Sequence, residues 1–203
     1  MTARVSLHPP LVRVTHWVNA LAIGCMLMSG WQIYDASPLF GFRFPAWATL
    51  GGWLGGAIAW HFAAMWLFVG NSVIYGLYGL LSGHFRRALL PLRAGDVLRD
   101  ALDAARFRLR HRDGEYNAVQ RLSYVLVLLF GAMVVISGLA LWKPVQFQDM
   151  AAAMGGYEVV RRIHFLAMAG IAGFIVVHLV LVLLVPRTLI GMILGDRTAG
   201  PAE

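Results

Sequence analysis

The chain has 203 residues, of which 59% are hydrophobic and only 13% charged, whereas an ordinary soluble domain carries about 25% charged residues. Its formal charge is +7, and its single cysteine, Cys25, excludes an internal disulfide and any cysteine-built zinc or iron–sulfur centre. The length suits one domain, 1–203.

Residues 1–11 form a short polar lead whose Pro9-Pro10 marks a helix start. From Val14 to Tyr34 there is no Asp, Glu, Lys or Arg. Such a run is long enough to cross about 30 Å of hydrocarbon. It must do so as a helix, because backbone groups in lipid have to pair internally. No small-residue cleavage site follows it, so a spanning helix is expected rather than a secretory leader. Pro38, Gly41 and Pro45 then mark an outer loop at 35–46.

The next charge-free run, Phe44 to Phe85, is too long for one straight span, and Gly70-Asn71-Ser72 offers a possible break. Arginine placement chooses between one crossing and two. Nine arginines lie between Arg86 and Arg121, which puts that segment inside. Arg4 and Arg13 put the N-terminus on the same side, and Arg187 and Arg197 the C-terminus. One crossing satisfies all three. Within 86–120, the apolar positions Val97, Leu98, Leu102, Ala105 and Leu109 predict an amphipathic helix over Asp96–Arg110, lying on the membrane surface and ended by His111-Arg112-Asp113-Gly114. These arginines fit a topology determinant touching anionic lipid head groups. No nucleic-acid module surrounds them.

Leu122 to Trp142 and Ile163 to Val185 are two further charge-free runs. Between them lies an outer loop at 143–159, with a short helix expected over Asp149–Met154 and closed by Gly155-Gly156. The fold class is thus all-α: an integral membrane four-helix bundle with spans near 12–34, 47–79, 121–142 and 160–185. By the same arginine rule both termini would be cytoplasmic. Trp17, Trp31, Trp47, Tyr124 and Trp142 fall at the predicted edges, as an interfacial belt does. No internal repeat is visible.

Seven histidines are many for so apolar a chain, and His16, His61, His164 and His178 fall within spans. Ionisable groups inside a membrane are costly and mark function. His164 and His178 are 14 residues apart, so on a helix they point within roughly 40° of each other and stand about 21 Å apart along the axis. That is too far for one metal ion and suits two planar cofactors at two depths. His16, near the inner end of the first span, matches His178 in depth. His61 can pair with His164 if its helix starts well outside the hydrocarbon or is tilted; from a start near 47 it falls close to mid-membrane. Two imidazoles on one haem iron give a six-coordinate electron-transfer centre. Structural zinc wants four ligands gathered at one point. A proton relay would enlist acidic residues, and the four spans contain none. Covalent haem attachment is excluded because there is no C-x-x-C-H. Small residues beside the histidines (Ala20, Gly24, Gly51, Gly52, Gly55, Gly56, Gly170 and Gly173) suit either a flat cofactor or close helix contact. His8, His84 and His111 fall at or beyond the inner membrane edge.

The stretch Arg13-Val14-Thr15-His16-Trp17-Val18-Asn19-Ala20, then Ser29-Gly30, His61, Ser137-Gly138 and Arg161-Arg162-Ile163-His164-Phe165 with His178 beyond it, resembles the bacterial cytochrome b561 and nickel-hydrogenase cytochrome b superfamily. That group includes formate dehydrogenase gamma subunits, thiosulfate-reductase-type cytochrome b subunits and superoxide oxidase cytochromes. Tyr78-Gly79 to Ser82-Gly83-His84-Phe85-Arg86 is similar to its hydrogenase-type branch. The resemblance covers nearly the whole chain. It implies two haem b groups, His16 with His178 on the inner one and His61 with His164 on the outer, and electron exchange with ubiquinone or menaquinone. It also makes Arg13, Arg121, Arg161 and Arg162 candidate partners of haem propionates.

The expected function is therefore a di-haem electron-transfer subunit linking the quinone pool to a periplasmic partner: a molybdoenzyme, a hydrogenase or a c-type cytochrome. The short tail and the long 86–120 segment favour this. One alternative is a self-contained superoxide:ubiquinone oxidoreductase, with Arg161 and Arg162 attracting the anion. Another is a non-haem metal or proton transporter.

Overall fold

The computed structural model describes residues 10–83, 85–86, 92–105, 118–184 and 186–195. His8, His84 and His111 lie outside them. Seven helices follow in order: α1 (Pro10–Ala36), α2 (Leu54–Leu81), α3 (Ala94–Ala105), α4 (Ala118–Trp142), α5 (Gln148–Ala153), α6 (Tyr157–Leu184) and α7 (Arg187–Leu194), with one turn of 3₁₀-helix at Ala46–Ala48. The described residues contain no strand. Helices α1, α2, α4 and α6 are each long and apolar enough to cross a membrane. The all-α, four-span expectation holds, and Gly70-Asn71-Ser72 does not break α2. The described residues form two compact units: one comprises residues to Leu77 and from Leu179 onward, the other Tyr78–His178.

In the first unit, α1 begins at Pro10, where a missing N–H costs nothing. Its Thr15 and Ser29 hydroxyls donate to carbonyls of their own helix, which keeps polar groups satisfied in an apolar setting. The expected start of the second span, residue 47, is seven residues early. Instead the chain turns at Ala46–Ala48, Leu50 N–H donates to the Met28 carbonyl of α1 (3.0 Å), and Gly51 and Gly52 take φ of 112° and 71°. These left-handed conformations suit glycine. A Cβ on Gly51 would stand 2.3 Å from the Ala57 nitrogen, and one on Gly56 2.3 Å from the Gly51 carbonyl oxygen. These glycines fold the loop onto the first turn of α2. The 37–45 loop is held by aromatic stacking, Trp31 on Phe44 at 4.7 Å and Tyr34 on Phe42 at 5.3 Å, and by Phe44 N–H donating to Asp35. Asn71, buried in α2, donates from Nδ2 to the Thr15 carbonyl of α1 at 2.8 Å.

In the second unit, α3 confirms the amphipathic helix and starts two residues before its expected position, while the part expected beyond Ala105 lies outside the described residues. Val97 and Leu98 line an apolar hollow with Leu92 and Leu122, at the start of α4. Asp100 accepts the Ala118 N–H at 2.7 Å. This places a carboxylate on the first residue of α4, where free N–H groups and the helix dipole favour it. The expected outer helix is α5, one residue earlier than read. It ends as a Schellman motif, with Gly156 N–H on the Ala151 carbonyl and Gly155 N–H on that of Ala152. Both glycines have positive φ, and α6 begins at once. Ala140, Ala151 and Val160 form a small buried core there.

Candidate functional site

The four span histidines divide between the units, His16 and His61 in the first and His164 and His178 in the second. The helix limits give the distance of each histidine from its helix end. His61 lies seven residues after the start of α2, and His164 seven residues after the start of α6, so each stands about 10 Å in from its helix start. His16 lies six residues after the start of α1 and His178 six residues before the end of α6, or about 9 Å in each case. The mid-membrane depth expected for His61 came from placing its helix start at 47. The Gly51-Gly52 turn moves that start to Leu54 and removes the difficulty.

His61 and His164 are held in the same way, each by a Ser-Gly pair on the long helix before its own, α1 for His61 and α4 for His164. Ser29 Oγ lies 3.1 Å from His61 Nδ1, and Ser137 Oγ lies 2.9 Å from His164 Nδ1. Each hydroxyl sits 2.6 Å from a carbonyl four residues back, Cys25 for Ser29 and Met133 for Ser137. A hydroxyl has one proton to give. With that proton on the carbonyl, the serine oxygen accepts from the imidazole, and the ring proton must sit on Nδ1. Nε2 is then the unprotonated nitrogen, the form in which imidazole binds a metal. The glycine that follows each serine lets the ring lie close to the helix. A Cβ on Gly30 would be 3.4 Å from His61 Cε1, and one on Gly138 3.3 Å from His164 Cε1. A larger side chain would push the ring away.

Two antiparallel hairpins, α1–α2 and α4–α6, therefore repeat one plan although the sequence shows no repeat. The second hairpin is also closed by Gly170, where a Cβ would meet the Phe130 ring at 2.6 Å. Here a glycine serves helix contact. Nothing lies within 4 Å of the corresponding position at Gly24 or Gly173. His178 stacks on Phe174 at 5.9 Å and 10°, and His16 meets Trp17 edge to face at 5.4 Å.

The candidate propionate partners divide. Arg13 is spent on the end of α7: its guanidinium donates to the Met192 and Ile193 carbonyls, and Trp17 Nε1 adds a bond of 3.3 Å to Met192. Arg161 pairs with Glu158 at 3.2 Å in the first turn of α6, so its charge is offset by a carboxylate. Arg162 is exposed, and Arg121 is partly buried. Trp31 stacks on Phe44, and its Nε1 is buried.

Three observations bear on whether these residues fit haem. The donor set is right, since two imidazoles present Nε2. Among the described residues, no three His, Cys, Asp or Glu side chains converge as a structural zinc site requires. Finally, α1 carries two buried polar atoms without a partner: Asn19 Oδ1, three residues beyond His16, and Trp31 Nε1, beside Gly30. Native interiors rarely leave such atoms unpaired unless a bound group or water completes them. Sequence reading missed the roles of Ser29, Ser137 and Asn71. Their signal was the presence of polar residues inside charge-free runs.

The chain matches the pattern of the prokaryotic cytochrome b561 family over residues 7–195 and belongs to that family. It is thus a multi-pass membrane protein of electron transfer that binds haem b, and the resemblance drawn from its histidine motifs holds. A protein of Azospira oryzae named "Putative protein-methionine-sulfoxide reductase subunit YedZ1" is 48% identical over 191 residues, covering 94% of this chain and 96% of that protein. No solved structure matches.

Proposed function

We propose that the protein is a di-haem b subunit that takes electrons from the quinone pool and passes them to a periplasmic protein-methionine-sulfoxide reductase. The carrying observation is the pair of imidazoles, His61 and His164, each with Nδ1 against a buried serine hydroxyl and each at the same distance from its helix start. The relative's name supports this partner class.

On this reading His61 and His164 hold an outer haem, and His16 and His178 an inner one. Both termini and the arginine-rich segment then face the cytoplasm of a bacterial inner membrane, by the positive-inside rule. Bound haem b supplies one-electron iron chemistry. The chain's own residues do the rest. Two imidazoles would hold each haem iron, which would exclude substrate from the metal and limit the site to electron transfer. Apolar helices exclude water, and Ser29 and Ser137 accept hydrogen bonds from the ring Nδ1–H groups. Arg161 is engaged by Glu158, which gives the superoxide alternative no free cation at that residue.

The purified protein should show a reduced-minus-oxidised b-type spectrum with about two haems per chain. His61→Leu and His164→Leu should each remove the same haem and leave the other. A quinol should reduce the protein, and the reduced protein should be reoxidised by the methionine-sulfoxide reductase of the same organism in the presence of a methionine sulfoxide. A colourless protein, or reoxidation that does not need the reductase, would overturn the proposal. Superoxide-driven quinone reduction by the isolated chain would favour the self-contained enzyme instead.

A further inference from the structure

The two Ser-Gly seats do more than pack two rings. In each, the serine hydroxyl lies between a backbone carbonyl of its own helix at 2.6 Å and an imidazole Nδ1 at 2.9–3.1 Å. Each hydroxyl donates its one proton to that carbonyl, and its oxygen is then left to accept from an imidazole Nδ1–H. Ser29 and Ser137 are fully buried, so water does not compete for that hydroxyl. The arrangement recurs in two hairpins of different sequence, with serine spacings to histidine of 32 and 27 residues. What is common to both is the tautomer it imposes.

We propose that Ser29 and Ser137 are positioning residues that hold His61 and His164 as Nδ1–H tautomers and raise the basicity of the two Nε2 atoms turned towards iron. This rests on the proposed ligation by His61 and His164. A hydrogen bond at the far nitrogen makes an imidazole a stronger donor, and loss of such a partner costs roughly 10–100-fold in metal affinity or activity. A stronger donor favours ferric over ferrous iron. Removing the serine oxygen should therefore weaken the ferric form selectively and raise the midpoint potential. Each tenfold change in that preference corresponds to about 59 mV for a one-electron couple. Glycine at 30 and 138 is the geometric condition, since it sets how near the ring can come to the hydroxyl.

The test is a redox titration of the full-length, haem-loaded protein in detergent, with ferric EPR of each haem, for Ser29→Ala, Ser137→Ala, the double variant and the two threonine variants. Haem content per chain is measured in parallel. The expected result is full haem content, an upward shift on one haem in each alanine variant, a larger shift on that same haem in the double variant, and wild-type values for threonine, which keeps the hydroxyl. Unchanged potentials and EPR in the alanine variants with both haems present would overturn the serine assignment while leaving ligation intact. Shifts on two different haems would uphold the serine assignment and overturn the shared-haem pairing. If an alanine variant fails to assemble, the threonine variant decides: recovery with wild-type potential supports the assignment, and failure in the same way as alanine overturns it.

Discussion

Replacing Asn71 with leucine isolates one hydrogen bond between the two helices that carry His16 and His61. Asn71 is 7% exposed, and its Nδ2 reaches the Thr15 carbonyl, one residue before His16, at 2.8 Å across 56 residues of sequence. Leucine roughly keeps the volume and removes both amide groups, so little cavity is made. The Thr15 carbonyl keeps its helical N–H partner, so no buried acceptor is stranded. The loss is then the interhelical bond itself. In membrane proteins such bonds average about 0.6 kcal/mol and reach about 1.7, a factor of roughly 3–17 in the folding equilibrium. Asn71→Leu should lose that amount in a reversible unfolding titration in mixed micelles, with haem content unchanged. Thr15→Ala should not mimic it, because the bond is to the backbone. A loss above about 4 kcal/mol, or none within error, would refute the account of Asn71 as a single interhelical tie.

Two further outcomes follow from the same geometry. Gly51→Ala combines a positive φ with a backbone clash, whereas Gly52→Ala adds only the conformational term, about 1–2 kcal/mol. Thermal unfolding should therefore rank Gly51→Ala well below Gly52→Ala, with Gly24→Ala, where nothing lies within 4 Å, at or above wild type. Arg13→Gln should loosen α7 by about 0.3–1 kcal/mol, because a cation is lost from a helix C-terminus. Trp17→Phe removes one bond to the same turn. Both should speed proteolysis beyond residue 186 while the reduced haem spectrum stays unchanged.

The charge-free runs determined four spans by themselves, because a bilayer tolerates little else. The 14-residue spacing of His164 and His178 set two depths without any coordinates, because helix rise is fixed. The Schellman glycines after α5 and the amphipathic face of α3 were also legible, since both depend on local pattern. The start of α2 was not. Residues 47–53 are as apolar as a span, and only the Leu50 bond to Met28 and the Gly51-Gly52 conformations show that they turn back onto α1. That single boundary placed His61 too deep. The tertiary contacts of Arg13 and Trp31 were not legible either: Arg13 donates to carbonyls at the end of α7, and Trp31 stacks on Phe44. The sequence identified His61 and His164 as candidate ligands because imidazole in a membrane is conspicuous. Only the tertiary structure brought each Nδ1 against a serine hydroxyl, because that serine lies 32 or 27 residues away on another helix.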